Sequence, residues 1–381
     1  MRDPPCFDKG VERTKYLAEH SRPIEEAPEA VPGQALVRRS PQEAGKARLA
    51  VAAELVAARQ DEFASKNTRR AYEFELACFT SWCNRKGFGG LQDEPDTIAV
   101  YAQELADRGR DPADVPQRES AWARAPKPGP LLYSSIIRAL GAICSSHTRR
   151  DMPSPWKRRA VVRAREGIAR QLGVKPTKKK ALTVDLMQLL VDQIPVDTFR
   201  GKRDRALILL GWHGARRRSE IVAARFEHFR RDVDPHGKPG VVWLIPVSKT
   251  DQGGAGFELP LVFAMDRRYC AIRALGEWTK AAGITSGPLF RKIDTMGRLC
   301  DDALTPEHVR VMVRSYAKAA GLEPDDFGGH SLRSGWITTA AKGKRSTHEI
   351  MRVSGHRDPK MVEEYIQDAN VLEDAPGEGL I

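Results

Sequence analysis

The sequence of 381 residues lacks any C-x-x-C pair. Six cysteines are spread along the chain, and the nearest two, Cys78 and Cys83, have no further ligands at metal-binding spacing. This excludes a disulfide-rich secreted scaffold, so we expect reduced structural thiols. We also expect no metal and no cofactor. The sequence also lacks a signal peptide and any apolar run long enough to cross a membrane. We therefore expect a cytoplasmic protein that does not contact a membrane.

Positive charge is in excess, and it is concentrated in one stretch. The chain carries 62 Lys and Arg against 50 Asp and Glu, which gives a formal net charge of +12 and a pI near 9.5. Residues 116–180 alone hold sixteen basic and three acidic residues, a local excess of +13, so the remainder is close to neutral. Charge of this density predicts a polyanionic partner.

The composition divides the chain into an arm, two modules and a tail. Residues 1–45 mix prolines with charges of both signs and show no regular period, which predicts a poorly ordered arm. Helical periods fill residues 46–173, and the sequence V-K-P-T-K-K-K indicates a basic linker over 174–181. A second module occupies 182–368, and a tail follows at 369–381.

The first module is predicted to be all-helical. The apolar spacing indicates helices over residues 42–60, from 65 or 67 to 87, and over 96–109, 131–147 and 155–172. A loop rich in Pro, Arg and Gly spans 110–130. The basic surface of such a module suits contact with the backbone of a nucleic acid.

The second module begins with helices and then shows the first strand signals. Helices are predicted over residues 186–190, 203–213 and 219–229. Two runs of β-branched and aromatic residues, 241–247 and 257–262, flank a Gly-rich turn and predict a hairpin. From Tyr269 onward the pattern is helical again.

Near the C-terminal end, two histidines, an arginine and a tyrosine have spacings that can build one site. His330 and Arg333 are three residues apart and therefore share a helix face. The Asp-Pro pair at 358–359 has the character of a helix N-cap and first position. Tyr365 then falls two turns into that helix, nine residues after His356. Such a group can bind a phosphate and supply its own nucleophile.

This stretch resembles the C-terminal signature of the tyrosine recombinases, the phage integrase family: H-x-x-R, then G-H, then Tyr nine residues after that histidine. The resemblance covers about residues 180–368, and over the N-terminal module it is one of general organisation. It implies that His330, Arg333, His356 and Tyr365 are catalytic and that the tyrosine is the nucleophile.

The same family carries a catalytic arginine three residues before an acid, in a G-x-R-x-S-E box. Here the segment 214–220 reads G-A-R-R-R-S-E, and taken alone three consecutive arginines are most often a solvated basic turn. The resemblance implies that Arg217 is catalytic and that Glu220 is a structural brace. Because this box has one extra residue after Gly214, Arg216 remains an alternative.

A lysine at the end of the first predicted strand completes the set of candidate catalytic residues. Taken alone, Lys249 in the sequence S-K-T is an ordinary solubilising residue. The resemblance implies instead that it is the catalytic lysine, which the family carries on a β-hairpin at this point. All the elements then follow one another in the family's order.

The residue types suit a phosphoryl-transfer reaction, in which a nucleophile attacks a phosphodiester. Arginine forks match two phosphate oxygens, so Arg217 and Arg333 can hold the pentacovalent transition state, and His356 can donate a further hydrogen bond. A phenol is a poor nucleophile until a neighbouring group shares its proton. His330 is therefore the candidate proton acceptor for Tyr365. A lysine is a fitting general acid for the departing 5′-oxygen. The arginines supply the positive charge that a metal would otherwise bring.

The resemblance implies a mainly α fold with a small β-hairpin or sheet: a helical, SAM-like core-binding domain and a mixed α+β catalytic domain. It implies a site-specific recombinase or integrase that cuts and rejoins double-stranded DNA through a 3′-phosphotyrosine. The protein would act as a homotetramer on two DNA sites, through a Holliday junction. Away from DNA we expect a monomer or weak oligomer, associated with the nucleoid, and accessory DNA-bending proteins fit this scheme. Lys178, Lys179 and Lys180 are candidate DNA contacts.

Two other functions remain open from the sequence. A type IB topoisomerase-like enzyme would use similar chemistry to relax supercoils. A regulator built on an inactive recombinase would bind DNA without catalysis, although such a copy is expected to have lost at least one member of the set.

Overall fold

The computed structural model describes residues 66–90, 92–116, 129–174, 179–246 and 256–369. The N-terminal arm, the predicted helix over 42–60, Lys178 and Lys249 lie outside the described residues. The chain divides between Lys178 and Lys179 into two compact units, and the domain limits given above stay a prediction. Among the described helices, none is both long and apolar enough to cross a membrane.

The N-terminal unit is helical in its described part. Its helices are α1 (Lys66–Arg85), α2 (Pro95–Asp107), α3 (Tyr133–Arg149) and α4 (Arg159–Leu172), with 3₁₀ turns at Pro112–Asp114 and Pro155–Lys157. Helix α2 begins on its proline, whose fixed φ and missing N–H suit the first helical position. The predicted helices of the described part are confirmed, with ends shifted by a few residues.

Aromatic rings fill the centre of this unit. Phe79 and Trp82 of α1 each have a ring centroid 5.0 Å from that of Tyr101 in α2, and all three side chains are almost fully buried. A buried carboxylate on α1, Glu75, forms an ion pair with Arg110 just beyond α2. The buried charge is thereby compensated, as burial of a carboxylate requires.

The C-terminal unit combines helices and two small sheets. Its helices are α5 (Val184–Val191), α6 (Phe199–His213), α7 (Arg218–Val222), α8 (Ala271–Ala282), α9 (Pro306–Ala319), α10 (Ser331–Lys342), α11 (Thr347–Ser354) and α12 (Pro359–Ala369). Its strands are β1 (Phe229–Val233), β2 (Pro239–Ile245), β3 (Phe257–Val262), β4 (Arg291–Ile293) and β5 (Leu299–Ala303). The predicted fold class, mainly helical with a small sheet, is confirmed.

Two details of the sequence prediction are wrong. The helix predicted over 219–229 ends at Val222, and the chain continues through a 3₁₀ turn at Phe226–His228 into β1. Strands β4 and β5 form an antiparallel pair in a region where the sequence predicts only helices. Both errors concern strands with few buried side chains: Phe229 is the single buried residue of β1, and β4 and β5 have none. Such strands lack the alternating pattern that marks a strand in sequence.

The three-stranded sheet has the order β1-β2-β3, with both neighbouring pairs antiparallel. Every second residue of β2 from Val241 to Ile245 is buried, as expected for a strand with one face on the core. Trp243 pairs with Phe229 of β1, and their rings stack at 5.4 Å. The predicted hairpin of β2 with β3 is confirmed, and its turn over 247–255 lies outside the described residues.

Helix α10 lies in backbone contact with the segment that leads into α5. The Leu182 N–H donates to the Ser331 carbonyl oxygen at 3.0 Å, and the Leu182 carbonyl oxygen accepts from the Trp212 indole at 2.8 Å. A Cβ atom at Gly335 would lie 1.9 Å from that same carbonyl oxygen. Glycine is therefore required at this position for α10 to approach so closely.

We expect Gly335→Ala to destabilise the C-terminal unit by about 3 kcal/mol, because an added methyl group would overlap backbone atoms. The control is Gly167→Ala in α4, where an added Cβ meets nothing within 4 Å. That change should stabilise by about 0.5–1 kcal/mol. Calorimetry, with transitions assigned to each unit, measures both effects. An unchanged transition in Gly335→Ala would show that α10 can move away from Leu182.

Candidate active site

The turn between α6 and α7 carries three consecutive arginines. The chain leaves α6 at Gly214 and passes through Ala215, which has a left-handed φ of +49°. A non-glycine residue in this conformation is uncommon and marks a closely held turn. The turn leaves the side chain of Arg216 2% exposed and that of Arg217 20% exposed.

Arg216 is bonded into the interior. Its Nε donates to the Gly214 carbonyl oxygen at 2.6 Å, and its Nη2 donates to the Val353 carbonyl oxygen. Its guanidinium also lies 5.0 Å from the centre of the Phe257 ring. Burial lowers the pKa of Arg216 to about 10, so the group is still protonated at neutral pH. These contacts are those of a residue that holds the backbone together.

Arg217 and Glu220 bind each other at the start of α7. The buried carboxylate of Glu220 accepts from Arg217 Nη1 at 2.8 Å and from the Arg217 backbone N–H at 3.2 Å. The second bond satisfies a backbone donor that a helix start leaves unpaired. Arg216 Nη1 lies 3.8 Å from the same carboxylate. Because Arg217 stays partly exposed, it is the one of the two that an external phosphate can reach.

Arg333 of α10 binds both the arginine turn and the end of α11. Its side chain is buried, and its Nη1 donates to the carbonyl oxygens of Ala215 at 2.8 Å and Ser354 at 2.6 Å. Arg216 binds the preceding carbonyl, that of Val353. Two guanidiniums therefore bind the last carbonyl groups of α11, where a helix leaves acceptors unpaired and its dipole is negative. Burial lowers the pKa of Arg333 to about 9.

His356 lies immediately after that helix end. Gly355 terminates α11 with a left-handed φ of +69°. The turn brings His356 Nε2 to 2.8 Å from Arg333 Nη2 and His356 Nδ1 to 2.9 Å from Ser354 Oγ. Burial, followed by the charge of Arg333, lowers the pKa of His356 to about 3. The imidazole is therefore neutral at physiological pH.

His330 and Tyr365 lie beside this group. His330 is the N-cap residue of α10 and has an exposed surface. Partial desolvation, followed by the charges of Arg333 and Arg217, lowers its pKa below the ordinary value. Tyr365 is half-buried, and its ring centroid lies 6.5 Å from that of His356. A neutral His330 can accept a proton, and the phenol lies near the cationic group.

The helix that carries Tyr365 begins where the sequence predicts. Pro359 is the first residue of α12, and the Asp358 carboxylate accepts from the Lys360 N–H at 3.0 Å. The inner face of the helix rests on a small apolar cluster, separate from the main core: Ile337, Ala341, Ile350 and Val362. The partly buried side chain of Tyr365 packs against this cluster.

The group has an excess of positive charge. Three guanidiniums, those of Arg216, Arg217 and Arg333, lie around the single carboxylate of Glu220, so three positive charges and one negative leave +2. The charges of Arg217 and Arg216 contribute to the low pKa of Arg333. Like charges held this close in a partly desolvated place favour the binding of an anion. Among the residues that the structure describes, no cluster of His, Cys, Asp and Glu is arranged to hold a metal ion.

Of the six residues predicted to be catalytic, the structure brings five together: Arg217, His330, Arg333, His356 and Tyr365. Lys249 lies outside the described residues, in the segment that joins β2 to β3.

The predicted DNA-contacting lysines bind to their own unit where they are described. Lys180 Nζ lies 2.6 Å from an Asp326 carboxylate oxygen, and Lys179 Nζ donates to the Asp325 carbonyl oxygen. Lys178 lies outside the described residues. Both described ammonium groups are therefore partly engaged by the protein itself.

The chain is similar over most of its length to known recombinases. It is 31% identical over 319 residues to the integrase/recombinase XerD homolog of Selenomonas ruminantium, covering 83% of this chain and 86% of that protein. It is 25% identical over 303 residues to the tyrosine recombinase XerD of Caulobacter vibrioides, covering 77% and 84%. The model of the phage integrase family matches residues 273–371. The chain belongs to the phage integrase family of tyrosine recombinases.

Solved structures of recombinases are also similar to this chain, at lower sequence identity. XerH bound to a palindromic difH substrate is 17% identical, with 65% of this chain and 68% of that chain covered and a TM-score of 0.48. A λ integrase dimer on a core site is 14% identical, with 72% and 70% covered and a TM-score of 0.40. By its family, the protein is a tyrosine-type site-specific recombinase.

Two features of the recombinase's site have little or no signal in the sequence. Ser354 contacts His356, but a serine at a helix end is ordinary and carries no distinguishing pattern. Arg216 is recognisable only as the extra residue after Gly214. Its bond to Val353 joins residues 137 positions apart, which no local pattern can predict.

The two neighbouring arginines of the recombinase should respond differently to substitution. Arg216→Ala removes a buried guanidinium that donates to the Gly214 and Val353 carbonyls, so we expect a loss of about 2–4 kcal/mol of unfolding free energy. Arg217→Ala should cost about 1 kcal/mol, while activity falls by about 10²-fold or more. Urea unfolding and single-turnover activity, measured where both variants are folded, test this. Greater loss of activity in Arg216→Ala than in Arg217→Ala would reverse the assignment.

Proposed function

We propose that this recombinase cleaves and rejoins strands of double-stranded DNA through a covalent 3′-phosphotyrosine. The observation that carries the proposal is the convergence, around a net charge of +2, of a tyrosine, two histidines, the partly exposed Arg217 and the buried Arg333 in one unit. The Selenomonas relative is named an integrase/recombinase, which supports the same class of reaction.

The arginines would bind the scissile phosphate and stabilise its transition state. A phosphodiester carries one negative charge, and attack by a nucleophile raises the charge on the nonbridging oxygens. Arg217, which is more exposed than Arg216, and Arg333 would donate to those oxygens. The net charge of +2 in the site matches the charge of the transition state better than that of the ground state. That difference is the condition for catalysis by electrostatic stabilisation.

Tyr365 would be the nucleophile and His330 the group that takes its proton. The lowered pKa of His330 keeps its ring neutral at physiological pH, and a neutral imidazole has a lone pair for the phenolic proton. The attack forms a bond between the phenolic oxygen and phosphorus and breaks the bond to the 5′-oxygen. Because the phosphotyrosine conserves the energy of the phosphodiester, a 5′-hydroxyl can later reverse the step without ATP.

The departing 5′-oxygen needs a proton, and Lys249 is our candidate for the donor. The described ends of β2 and β3 lie paired at Ile245 and Phe257, so the segment that carries Lys249 is anchored in this sheet on both sides. Phe257 also lies under the guanidinium of Arg216, which connects the base of the hairpin to the arginine turn.

Contacts to the DNA backbone would come from the basic N-terminal unit. On α4 the exposed residues Arg159, Arg163 and Arg170 are spaced by four and seven, which places them on one face. A row of arginines along a helix face is suited to successive phosphates of a duplex.

The stoichiometry of strand exchange favours a homotetramer. One Tyr365 per chain breaks one strand, and two duplexes contain four strands, so complete exchange requires four chains on two DNA sites. If one strand of each duplex is exchanged first, the intermediate in which the duplexes are joined is a Holliday junction.

The covalent intermediate gives the direct test of the nucleophile. Incubation of wild type with a random-sequence library of nicked duplexes, followed by denaturing capture, should select DNA that is attached to protein. Tyr365→Phe should bind the selected duplex but form no covalent adduct, because the change removes one oxygen and little volume. Tyr316→Phe, which removes a hydroxyl that donates to Asp204, is the matched control and should still form the adduct. An adduct formed by Tyr365→Phe would assign the chemistry to another residue.

The role of Lys249 is tested by changing the leaving atom. Lys249→Ala should slow cleavage by about 10²- to 10⁴-fold, the usual span for a positioned proton donor. If the bridging 5′-oxygen is replaced by sulfur, the thiolate leaves without a proton, and Lys249→Ala should cleave at a near-normal rate. Arg217→Ala should stay slow on that substrate. Lys238→Ala, an exposed lysine at the other turn of the sheet, is the control. Equal slowing of Lys249→Ala on oxygen and sulfur would exclude the acid role.

A further inference from the structure

Ser354 is a buried serine that contacts two of the site's side chains. Its side chain has no exposed surface at the end of α11. Its backbone carbonyl oxygen accepts from Arg333 Nη1 at 2.6 Å, and its Oγ lies 2.9 Å from His356 Nδ1. No motif of the sequence points to it, and the reaction proposed above assigns it no role.

The hydrogen bonds around His356 fix the position of its proton in the free protein. A guanidinium can only donate, so His356 Nε2, which lies 2.8 Å from Arg333 Nη2, must accept. A neutral imidazole carries one proton, which is therefore on Nδ1 and is donated to Ser354 Oγ. The low pKa of His356 agrees with a neutral ring.

A bound phosphate would require the opposite arrangement. Its nonbridging oxygens only accept, so His356 can bind one of them through Nε2 only if Nε2 carries the proton. Nδ1 then has a lone pair and needs a donor. A hydroxyl can supply this, because it donates as well as accepts, whereas a carboxylate or a carbonyl at the same place could only accept. One proton leaves Nδ1 for solvent, one is taken up on Nε2, and the ring stays neutral.

We propose that Ser354 is a positioning residue for His356, whose hydroxyl accepts from Nδ1 in the free protein and donates to Nδ1 when Nε2 faces a phosphate oxygen. This rests on the function proposed above. This arrangement explains why the polar partner of the His356 ring is a serine. It also lets Arg333 and His356 satisfy each other's hydrogen-bonding capacity until DNA binds. Arg333 Nη2 is then released for the phosphate.

Nitrogen NMR of protein labelled with ¹⁵N-histidine reads the tautomer directly, with His356→Gln to assign the signal. In the free protein we expect the proton on Nδ1. In Tyr365→Phe bound to the duplex selected by covalent capture, we expect it on Nε2. The same tautomer in both states would overturn the proposal. A wild type that captures no duplex would instead refute the proposed function, while the free-protein tautomer would still be measured.

Kinetics on the selected duplex test whether Ser354 acts through His356. Ser354→Ala should slow cleavage by about 5- to 10-fold, the effect of one neutral hydrogen bond, with unchanged DNA affinity. In a His356→Ala background the same change should slow cleavage by less than about 2-fold, because its target is gone. Ser354→Thr should recover most of the rate. Ser334→Ala, which removes a buried hydroxyl that donates to the backbone carbonyls of His330 and Ser331, is the control.

Equal slowing by Ser354→Ala in both backgrounds would mean that the serine supports the fold rather than the histidine. A wild-type rate in Ser354→Ala would mean that the hydroxyl is dispensable. Thermal unfolding of each variant shows whether the fold is kept, and the tautomer measurement does not depend on any serine variant.

Discussion

Two buried guanidiniums that bind the end of one helix hold this site together. Arg216 and Arg333 donate to the consecutive carbonyls of Val353 and Ser354, the last acceptors of α11. The interaction is strong for two reasons: a helix end leaves these carbonyls unpaired, and its dipole adds negative potential there. Because His356 lies two residues further on, its position follows from the same bonds.

This arrangement leaves an excess of positive charge in a desolvated part of the protein, which is energetically unfavourable. Burial lowers the pKa of both arginines, because a desolvated environment disfavours their charged form. Glu220 compensates one of the three guanidiniums. The remaining charge is unfavourable in the free protein, and a phosphate bound as proposed would offset it.

The sequence predicted those parts of the site that depend on short spacings. His330 and Arg333 lie three apart, and the Asp-Pro pair starts α12 where the pattern requires. The predictions were wrong where few side chains are buried, in β1, β4 and β5, because no period marks such strands. The sequence pattern favoured Arg217 as the catalytic arginine but left Arg216 open as an alternative. Their chemistry is the same, and the distinction comes from a bond to a residue 137 positions away.

The proposed phosphate clamp and the proposed nucleophile share part of their packing, because α10 contributes both to the main core and to the small cluster. Arg333 is anchored by α10, which touches the backbone at Leu182 and belongs to the main core. Tyr365 is carried by α12, which rests on the small cluster around Ile337 and Val362. Since hydrophobic stabilisation scales with the apolar area buried, the small cluster holds its helix less firmly than the main core holds α10. Ile350 of the same cluster lies on α11, so a disturbance of the cluster would displace the tyrosine and also loosen the helix end to which Arg333 donates.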